Sequence, residues 1–411
     1  MPAELQKSAG ERWLTIVGIG EDGLAGLGDE AKRCIADAEF VFGGARHLAL
    51  VAGAMRGETR PWPKPFDPDM HDVLALRGRK VCVLASGDPF LHGVGATLSR
   101  HVRPSEMLAL PAPSAFSLAA ARLGWPLQEI ETISLHGHSL DLIRPLLQPK
   151  RRVLALTSDA EGPAAVADLM VRLGFGQSRL TVLEALGGPD ENVRTTSAET
   201  FDLQNINPLN VLAIKVESSR EARSLSLTPG MADDLFEHDG QITKREIRAI
   251  TLSALAPRRG ELLWDIGAGS GSVSIEWMLA DPSMRAIAVE ADSQRAARIR
   301  RNAQIFGVPG LTIVDGPAPE TLSGLPSPDA IFIGGGGTNE GVLDAAIDAL
   351  SLGGRLVANA VTLEMEALLL AKHAELGGDL IRIAISRETP VGSMKAWRPA
   401  MPVTQWSWVK P

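Results

Sequence analysis

Tyrosine is absent from all 411 residues. Whatever chemistry the chain performs, no phenol serves as its general acid. Cysteine is nearly absent. Cys34 and Cys82 stand far apart, each inside an apolar stretch and neither in metal-ligand spacing. They read as reduced core residues, and they exclude a disulfide framework. Long apolar runs are missing too: nothing approaches the roughly 18 consecutive apolar residues of a membrane span. The start, MPAELQKSAGER, is polar and has no signal core. A cytoplasmic protein without a membrane partner is the expectation. Basic excess is the fourth absence. Net charge is −8, and neither the stretch up to Gly230 nor the rest carries more Lys and Arg than Asp and Glu. A large nucleic-acid footprint is therefore not suggested, although a few local arginines suffice for an acidic ligand.

What is present is length and alternation. The chain is long enough for two or three domains. From Trp13 onward, β-rich runs ending in Gly, Pro, Ser or Asp alternate with helical patterns. WLTIVGIG, EFVFGG, KVCVLASGDP, MLALPAP, RVLALTS, LTVLEALGG and NVLAIKV read as buried strands of an α/β domain over 1–216. Residues 217–232, ESSREARSLSLTPGMA, are polar and read as a linker. A second α/β series fills 233–411: ELLWDIGA, RAIAVEA, LTIVDG, DAIFIGG, GRLVANAV, LIRIAISRE and TQWSWVKP. Only a Pro-containing loop separates the last two runs, so the final strand is expected to be antiparallel.

The most informative stretch is 262–277, LLWDIGAGSGSVSIEW. Gly267, Gly269 and Gly271 alternate between a strand and a helix. Such a turn lets backbone approach a ligand and puts free N–H groups of the helix start beside it. A nicotinamide cofactor satisfies that much. Asp265 narrows the choice. A buried carboxylate there needs a partner; a sulfonium cofactor with a free amino group supplies one, and a pyrophosphate is repelled. Glu290, at the end of the next strand, stands where an acid accepts both ribose hydroxyls. The plain alternatives are a turn or capping carboxylate for Asp265 and a solvated strand end for Glu290.

Residues 261–410, with seven strands and an antiparallel last one, resemble class I S-adenosylmethionine-dependent methyltransferases. The resemblance implies that Asp265, Ile266, Gly267, Ala268, Gly269, Ser270 and Gly271 wrap the methionine part and that Glu290 holds the ribose. Just upstream, DDLFEHDGQITKREIRA carries Thr243 and Glu246 in the spacing of a capping box. That segment, followed by DIGAGSGSVSIE, resembles the carbon-15 methyltransferase and decarboxylase module of cobalamin (corrin) biosynthesis. In that family the threonine lies near the cofactor, so Thr243 carries either role or both. The resemblance also implies an adenine beside Ala318 in VDGPAP, although Pro317 replaces the family's frequent acid. DAIFIGGGG opens onto glycines where a flat macrocycle could approach, or forms a structural turn.

The first half is punctuated by VGIGEDG (17–23), ASGDPFLHG (85–93) and PAPSAF (111–116). In this order they resemble class III tetrapyrrole methylases. SLHGHS, LTSDAEGPAAVADLM and LEALGGPDENV narrow that to the carbon-5 methylase module of the same pathway. The family's cofactor lies between two α/β lobes, which implies contacts from Gly87, Asp88, Ser114 and Thr157. GIGEDG departs from the usual Gly-Pro-Gly, and His138 replaces an arginine. A metal pair of His136 and His138 is the weaker reading without a third ligand.

Together the resemblances cover residues 12–410. They imply methylation of precorrin-6B (6Y) at carbons 5 and 15 with loss of the carbon-12 acetate carboxyl, giving precorrin-8. One S-adenosylmethionine site per module is implied, no metal, and a homo-oligomer, a tetramer through the second module. The reduced meso carbon is itself nucleophilic, so alignment contributes much of the rate, on the order of 7 kcal/mol or more. No catalytic acid or base stands out. Two rivals remain: an RNA methyltransferase with an accessory domain, for which the arginines of SQRAARIRRNAQIFG (293–307) would form the face, and a non-catalytic nucleotide sensor. Those arginines could equally contact the many carboxylates of a corrin precursor, and a solvated helix face is their plainer reading.

Overall fold

The computed structural model describes residues 12–411, so the polar start at 1–11 lies outside the described residues. The chain divides into two units. One holds residues up to Leu140 with Gln148–Arg223; the other holds Asp141–Leu147 with Ser224–Pro411.

The first sheet of unit one contains β1 (Leu14–Ile19), β2 (Phe40–Gly43), β3 (Glu58–Pro61), β4 (Val81–Ser86) and β5 (Met107–Leu110). They are parallel, in the order β3-β2-β4-β1-β5. Between them lie α1 (Asp29–Asp37), α2 (Ala45–Leu50), α3 (His71–Leu74) and α4 (Val94–Leu98). Val81, Val83 and Ala85 of β4 enter one apolar cluster, Cys82 and Leu84 another. The strand is buried on both faces, which is why its sequence is a continuous apolar run rather than an alternating one. Burial pushes the Cys82 thiol up to about 12, so it stays protonated; Cys34 is only half-buried.

The second sheet follows α5 (Ala115–Leu123). It contains β6 (Ile130–Ser134), β7 (Arg152–Leu156), β8 (Arg179–Glu184), β9 (Asn192–Ser197) and β10 (Asn210–Lys215), with α6 (Gly162–Arg172) after β7. The order is β6-β7-β10-β8-β9, and only β6 and β7 run parallel. Seven strands are expected here from apolar runs, and ten form. The three extra strands, β3, β6 and β9, lie at sheet edges. Their sequences, ETRP, IETIS and NVRTTS, contain no fully buried residue. An edge strand needs little apolar surface, so it leaves little apolar signal.

Unit two opens with α7 (Arg245–Leu255). Its seven-stranded sheet contains β11 (Leu262–Ile266), β12 (Arg285–Glu290), β13 (Thr312–Asp315), β14 (Ala330–Ile333), β15 (Arg355–Ala360), β16 (Asp379–Ile383) and, last in the chain, β19 (Val403–Val409). The helices α8 (Ser272–Leu279), α9 (Ser293–Ile305), α10 (Val342–Ala349) and α11 (Leu363–Leu376) connect the strands. The order is β13-β12-β11-β14-β15-β19-β16, and β19 is antiparallel to both neighbours as expected. One expectation fails. The segment between the last two strands is a hairpin, β17 (Ser386–Val391) and β18 (Met394–Pro399), closed by the two residues Gly392 and Ser393. Gly392 takes the positive φ such turns demand. The hairpin packs almost nothing beneath it: Met394 and Trp397 are about three-quarters exposed. No helix among the described residues is long and apolar enough to cross a membrane.

The stretch 217–232 is divided between the units. Glu217 exchanges hydrogen bonds with Ser178 in the first. Met231 is buried in the core of the second.

Candidate functional site

In unit two, β11, β12 and β14 end on one edge of the parallel sheet, the usual ligand edge of such a fold. β11 runs through Asp265 into a loop where Gly267, Gly269 and Gly271 all have positive φ. A Cβ on Gly267 would overlap the Gly335 carbonyl, so this glycine lets the loops after β11 and β14 close on each other. Asp265 is 1% exposed. Its Oδ2 accepts both the backbone N–H (3.1 Å) and the hydroxyl (2.6 Å) of Ser274 in the first turn of α8. That is capping, as the plain alternative holds. Its Oδ1, equally buried, has no partner. Burial pushes this carboxyl up to about 6 against the pull of Ser274, and nearby Glu290 adds to the rise. Glu290 accepts the Gly269 N–H (2.7 Å) and the Asp292 N–H (3.0 Å), bracing the loop from β12.

These elements enclose a cavity of about 530 Å³. Of the expected residues, Thr243, Ile266, Gly267, Ala268, Gly269, Glu290 and Ala318 line it; Asp265, Ser270 and Gly271 do not. Gly271 packs against Ile299 instead. The Ser270 hydroxyl is buried without a partner, and its carbonyl accepts from Asn302. Motif reading missed Gln241, Asn339, Asn359 and Arg387, which also line the cavity with Arg295 of α9. The four come from separate loops and strands, and none repeats a recognisable spacing.

The capping box is not formed. Lys244 stands at the N-cap of α7 with no side-chain cap, and Glu246 pairs with Arg387. Residues 230–244 form a strap across the glycine loop. Glu276 accepts the N–H groups of Gly230 (2.6 Å) and Met231 (3.0 Å). Arg248, fully buried, donates to Glu276 (2.6 Å), to Asp233 (3.2 Å) and to the carbonyls of Thr243 and Met231. Its guanidinium lies over the Phe236 ring. Farther along, Asp239 pairs with Arg295 (2.9 Å) and Arg298 (3.1 Å), and Glu237 with Arg301 (2.7 Å). The Gln241 N–H and the two arginines hold the Asp239 carboxyl well below the usual range. Arg300 pairs with Asp315. All four arginines of α9 therefore meet carboxylates of this chain rather than forming a free basic face.

The cavity of unit one measures about 640 Å³ and collects all four expected residues, Gly87, Asp88, Ser114 and Thr157. Each helps to build the wall. A Cβ on Gly87 would press on the Pro113 carbonyl, so the GDP loop can lie against the Pro-x-Pro-Ser loop. Asp88 accepts the Phe90 N–H (2.9 Å) and closes its own turn. Ser114 caps α5. Thr157 donates to Asn210 (2.6 Å). His136 lines this cavity and His138 does not. A cluster that motif reading missed stands at the ends of β1, β2 and β4. Arg46 pairs with Glu21. It also donates to Ser86 Oγ (3.2 Å) and His47 Nε2 (3.0 Å), while Ser86 Oγ and His47 Nε2 lie 2.8 Å apart. Burial, with Arg46 adding, pushes His47 down to about 4. The sequence signal was GGARHL after a strand, a Gly turn opening a helix with two polar side chains.

The unpartnered Asp265 oxygen, the brace from Glu290 and the close glycine turn fit a cofactor with an amino donor and ribose hydroxyls. Two carboxylates beside that turn disfavour a pyrophosphate. Two α/β units of these kinds define the class, a two-module methyltransferase. The family models agree: residues 13–202 match Tetrapyrrole (Corrin/Porphyrin) Methylases, and 234–410 match the Precorrin methyltransferase domain. A relative from Sinorhizobium sp, named precorrin-6Y C(5,15)-methyltransferase [decarboxylating], is 63% identical over 398 residues, 97% of this chain and 96% of the relative. A relative of the same name from Mycobacterium tuberculosis (strain ATCC 25618 / H37Rv) is 40% identical, covering 97% of this chain and all of its own length. The solved C-terminal domain of precorrin-6Y C5,15-methyltransferase from Rhodobacter capsulatus is 50% identical, with a TM-score of 0.43, over 45% of this chain and 100% of that one. The chain belongs to the family of decarboxylating precorrin-6Y C(5,15)-methyltransferases. It is an enzyme, and S-adenosylmethionine is the methyl donor its family implies.

Proposed function

We propose that the chain binds two S-adenosylmethionine molecules, one per module, and methylates precorrin-6B (6Y) at carbons 5 and 15. The carbon-12 acetate carboxyl leaves as carbon dioxide, giving precorrin-8. The first module, 1–216, takes carbon 5. The second, 233–411, takes carbon 15 and the decarboxylation. The observation that carries this reading is that each unit encloses a cavity of its own at strand ends.

When bound, the cofactor supplies an electrophilic methyl group on a cationic sulfur. In unit two, Glu290 would accept from its ribose, with Gly267 to Gly269 turned close around it, and Asp265 Oδ1, which lies just behind the cavity wall, would reach its amino group through a water. Thr243 and Ala318 border it. In unit one, the loops of Gly87, Asp88, Ser114 and Thr157 border the second molecule. The macrocycle carbon is already nucleophilic, so both walls chiefly align it and exclude water. For decarboxylation the conjugated macrocycle takes the electron pair. The protein holds the carboxylate out of conjugation and poorly solvated. Arg295 and Arg387 in that wall are already paired with Asp239 and Glu246. This suits the step, because a cation on the departing carboxylate would stabilise the charge that has to leave.

The chain is proposed to act in the cytoplasm as a homo-oligomer, a tetramer through the second unit; the exposed Val391, Met394 and Trp397 of the hairpin support such an assembly, and light scattering measures it. The main test is chemical. Purified chain, precorrin substrate and methyl-labelled cofactor are expected to give two methyl transfers and one carbon dioxide per substrate. Transfer of label to RNA, or no product, overturns the reading.

A further inference from the structure

The cluster at the strand ends of unit one is more than wall. An arginine only donates. The N–H of Arg46 that meets His47 Nε2 therefore fixes Nε2 as an acceptor and places the imidazole proton on Nδ1, which is buried without a partner. Ser86 is constrained in turn. Its oxygen accepts from Arg46, and its hydrogen is directed to the same Nε2, 2.8 Å away. One lone pair of Ser86 Oγ is left over, and Ser86, His47 and Arg46 all line the cavity. The hydroxyl can thus receive a proton on one side and hand its own to His47 on the other. Glu21, paired with Arg46, offsets part of the charge that opposes an imidazolium.

Carbon methylation has a use for such a device. Forming the new C–C bond breaks one S–C bond, whose electron pair stays on sulfur. The meso carbon then carries both a methyl group and its original hydrogen. Conjugation returns only when that C–H bond breaks, its pair going back to the macrocycle and its hydrogen leaving as a proton. We propose that the Ser86–His47 pair is the acceptor of that proton: Ser86 Oγ takes it, the serine's own proton passes to His47 Nε2, and Arg46 gives up its hydrogen bond to that nitrogen. This rests on the assignment of carbon-5 methylation to the first module. Burial and Arg46 disfavour the charged form, so His47 is neutral before the step and acts in it as a weak base. A weak base suffices, since a C–H bond beside a cationic conjugated system is acidic.

The test uses the full chain with His47→Gln, Ser86→Ala and Ser86→Thr. Carbon-5 methylation is followed by product analysis, with substrate carrying hydrogen or deuterium at carbon 5. Folding is checked by thermal unfolding, and cofactor-site integrity by calorimetric titration with S-adenosylhomocysteine. His47→Gln and Ser86→Ala are expected to slow carbon-5 methylation by roughly 100-fold or more, with unchanged S-adenosylhomocysteine affinity and a raised deuterium isotope effect. Ser86→Thr keeps the hydroxyl and is expected to keep most of the rate. Rates within about threefold of the unmodified chain in both variants would overturn the proposal, as would loss of S-adenosylhomocysteine affinity in step with rate. If the unmodified chain methylates carbon 15 and never carbon 5, the module assignment itself fails, an outcome distinct from unaffected variants.

Discussion

As proposed, each unit holds a sulfonium donor beside a macrocycle, and the two treat their polar groups in opposite ways. In unit one the expected polar side chains are satisfied within the wall: Asp88 closes a turn, Ser114 caps a helix and Thr157 bonds Asn210. In unit two a fully buried carboxylate oxygen has no partner, and a strap pinned by buried charge crosses the glycine loop. An unsatisfied buried acceptor is costly alone and becomes favourable when a donor arrives. Under the proposed function unit two would recognise its ligand partly through that buried acceptor, whereas Asp88, Ser114 and Thr157 of unit one are already engaged within the wall.

The largest test of that comparison makes each unit lose its site separately. Gly267→Val in unit two would drive Cβ into the Gly335 carbonyl, and Gly18→Val in unit one into the Gly87 carbonyl. Neither neighbour can yield, because both are backbone. Each variant is expected to lower calorimetric binding of S-adenosylhomocysteine from two molecules per chain to one, and to abolish methylation at one carbon only. Loss of both sites from either variant would show that the units do not act independently.

Next comes the buried charge. Arg248→Met leaves the buried Glu276 side chain without its guanidinium partner, so unit two is expected to lose about 3–5 kcal/mol of stability. Arg248→Met with Glu276→Met is expected to recover much of it in thermal unfolding. Unit one should unfold as before.

Asp265 gives a smaller, pH-dependent contrast. Its carboxyl titrates near 6 in the fold, above the usual 3.8. The raised value means its contribution to stability is full below about 3.8 and is lost as pH rises through about 6. A ligand amino group at Oδ1 favours the ionised form. Binding to unit two should therefore take up less ligand at pH 5 than at pH 7 and release a proton near pH 5 to 6. Asp265→Asn should flatten this and weaken binding by roughly 10- to 100-fold. In unit one His47 remains neutral above about 4, so that site should bind equally across the same range. Calorimetry in two buffers of different ionisation heat measures both.

How much of this was legible follows the same physics. β11, β12 and β14 are buried on both faces and announce themselves as apolar runs; β3, β6 and β9 lie at edges and do not. The loop of Gly267 to Gly271 with Asp265 is contiguous, so it is readable as a motif. The cluster of Glu21, Arg46, His47 and Ser86 comes from three separate strand ends, one or two residues from each, and only folding brings it together. The capping box at Thr243 was misread because Lys244 takes the N-cap position and Glu246 pairs instead with Arg387, across 141 residues of chain. The hairpin β17–β18 was read as loop because its outward faces obey no burial pattern.

The smallest expected effect separates two arginines on one helix. Arg298 is mostly covered and shares Asp239 with Arg295, so it holds the strap down. Arg300 pairs with Asp315 on open surface, where both side chains are about half exposed. Exposed pairs contribute little because water screens them and ordering two long side chains costs entropy. Arg300→Ala should leave the unfolding midpoint, carbon-15 methylation and S-adenosylhomocysteine release unchanged. Arg298→Ala should speed that release by a few-fold, with unit one unaffected, because a looser strap uncovers the glycine loop more often. Stopped-flow displacement of the bound product measures the rate. Equal behaviour of the two variants would mean that charge pairing on α9 does not hold the strap. The difference between the units would then rest on Asp265 and on the buried Arg248–Glu276 pair.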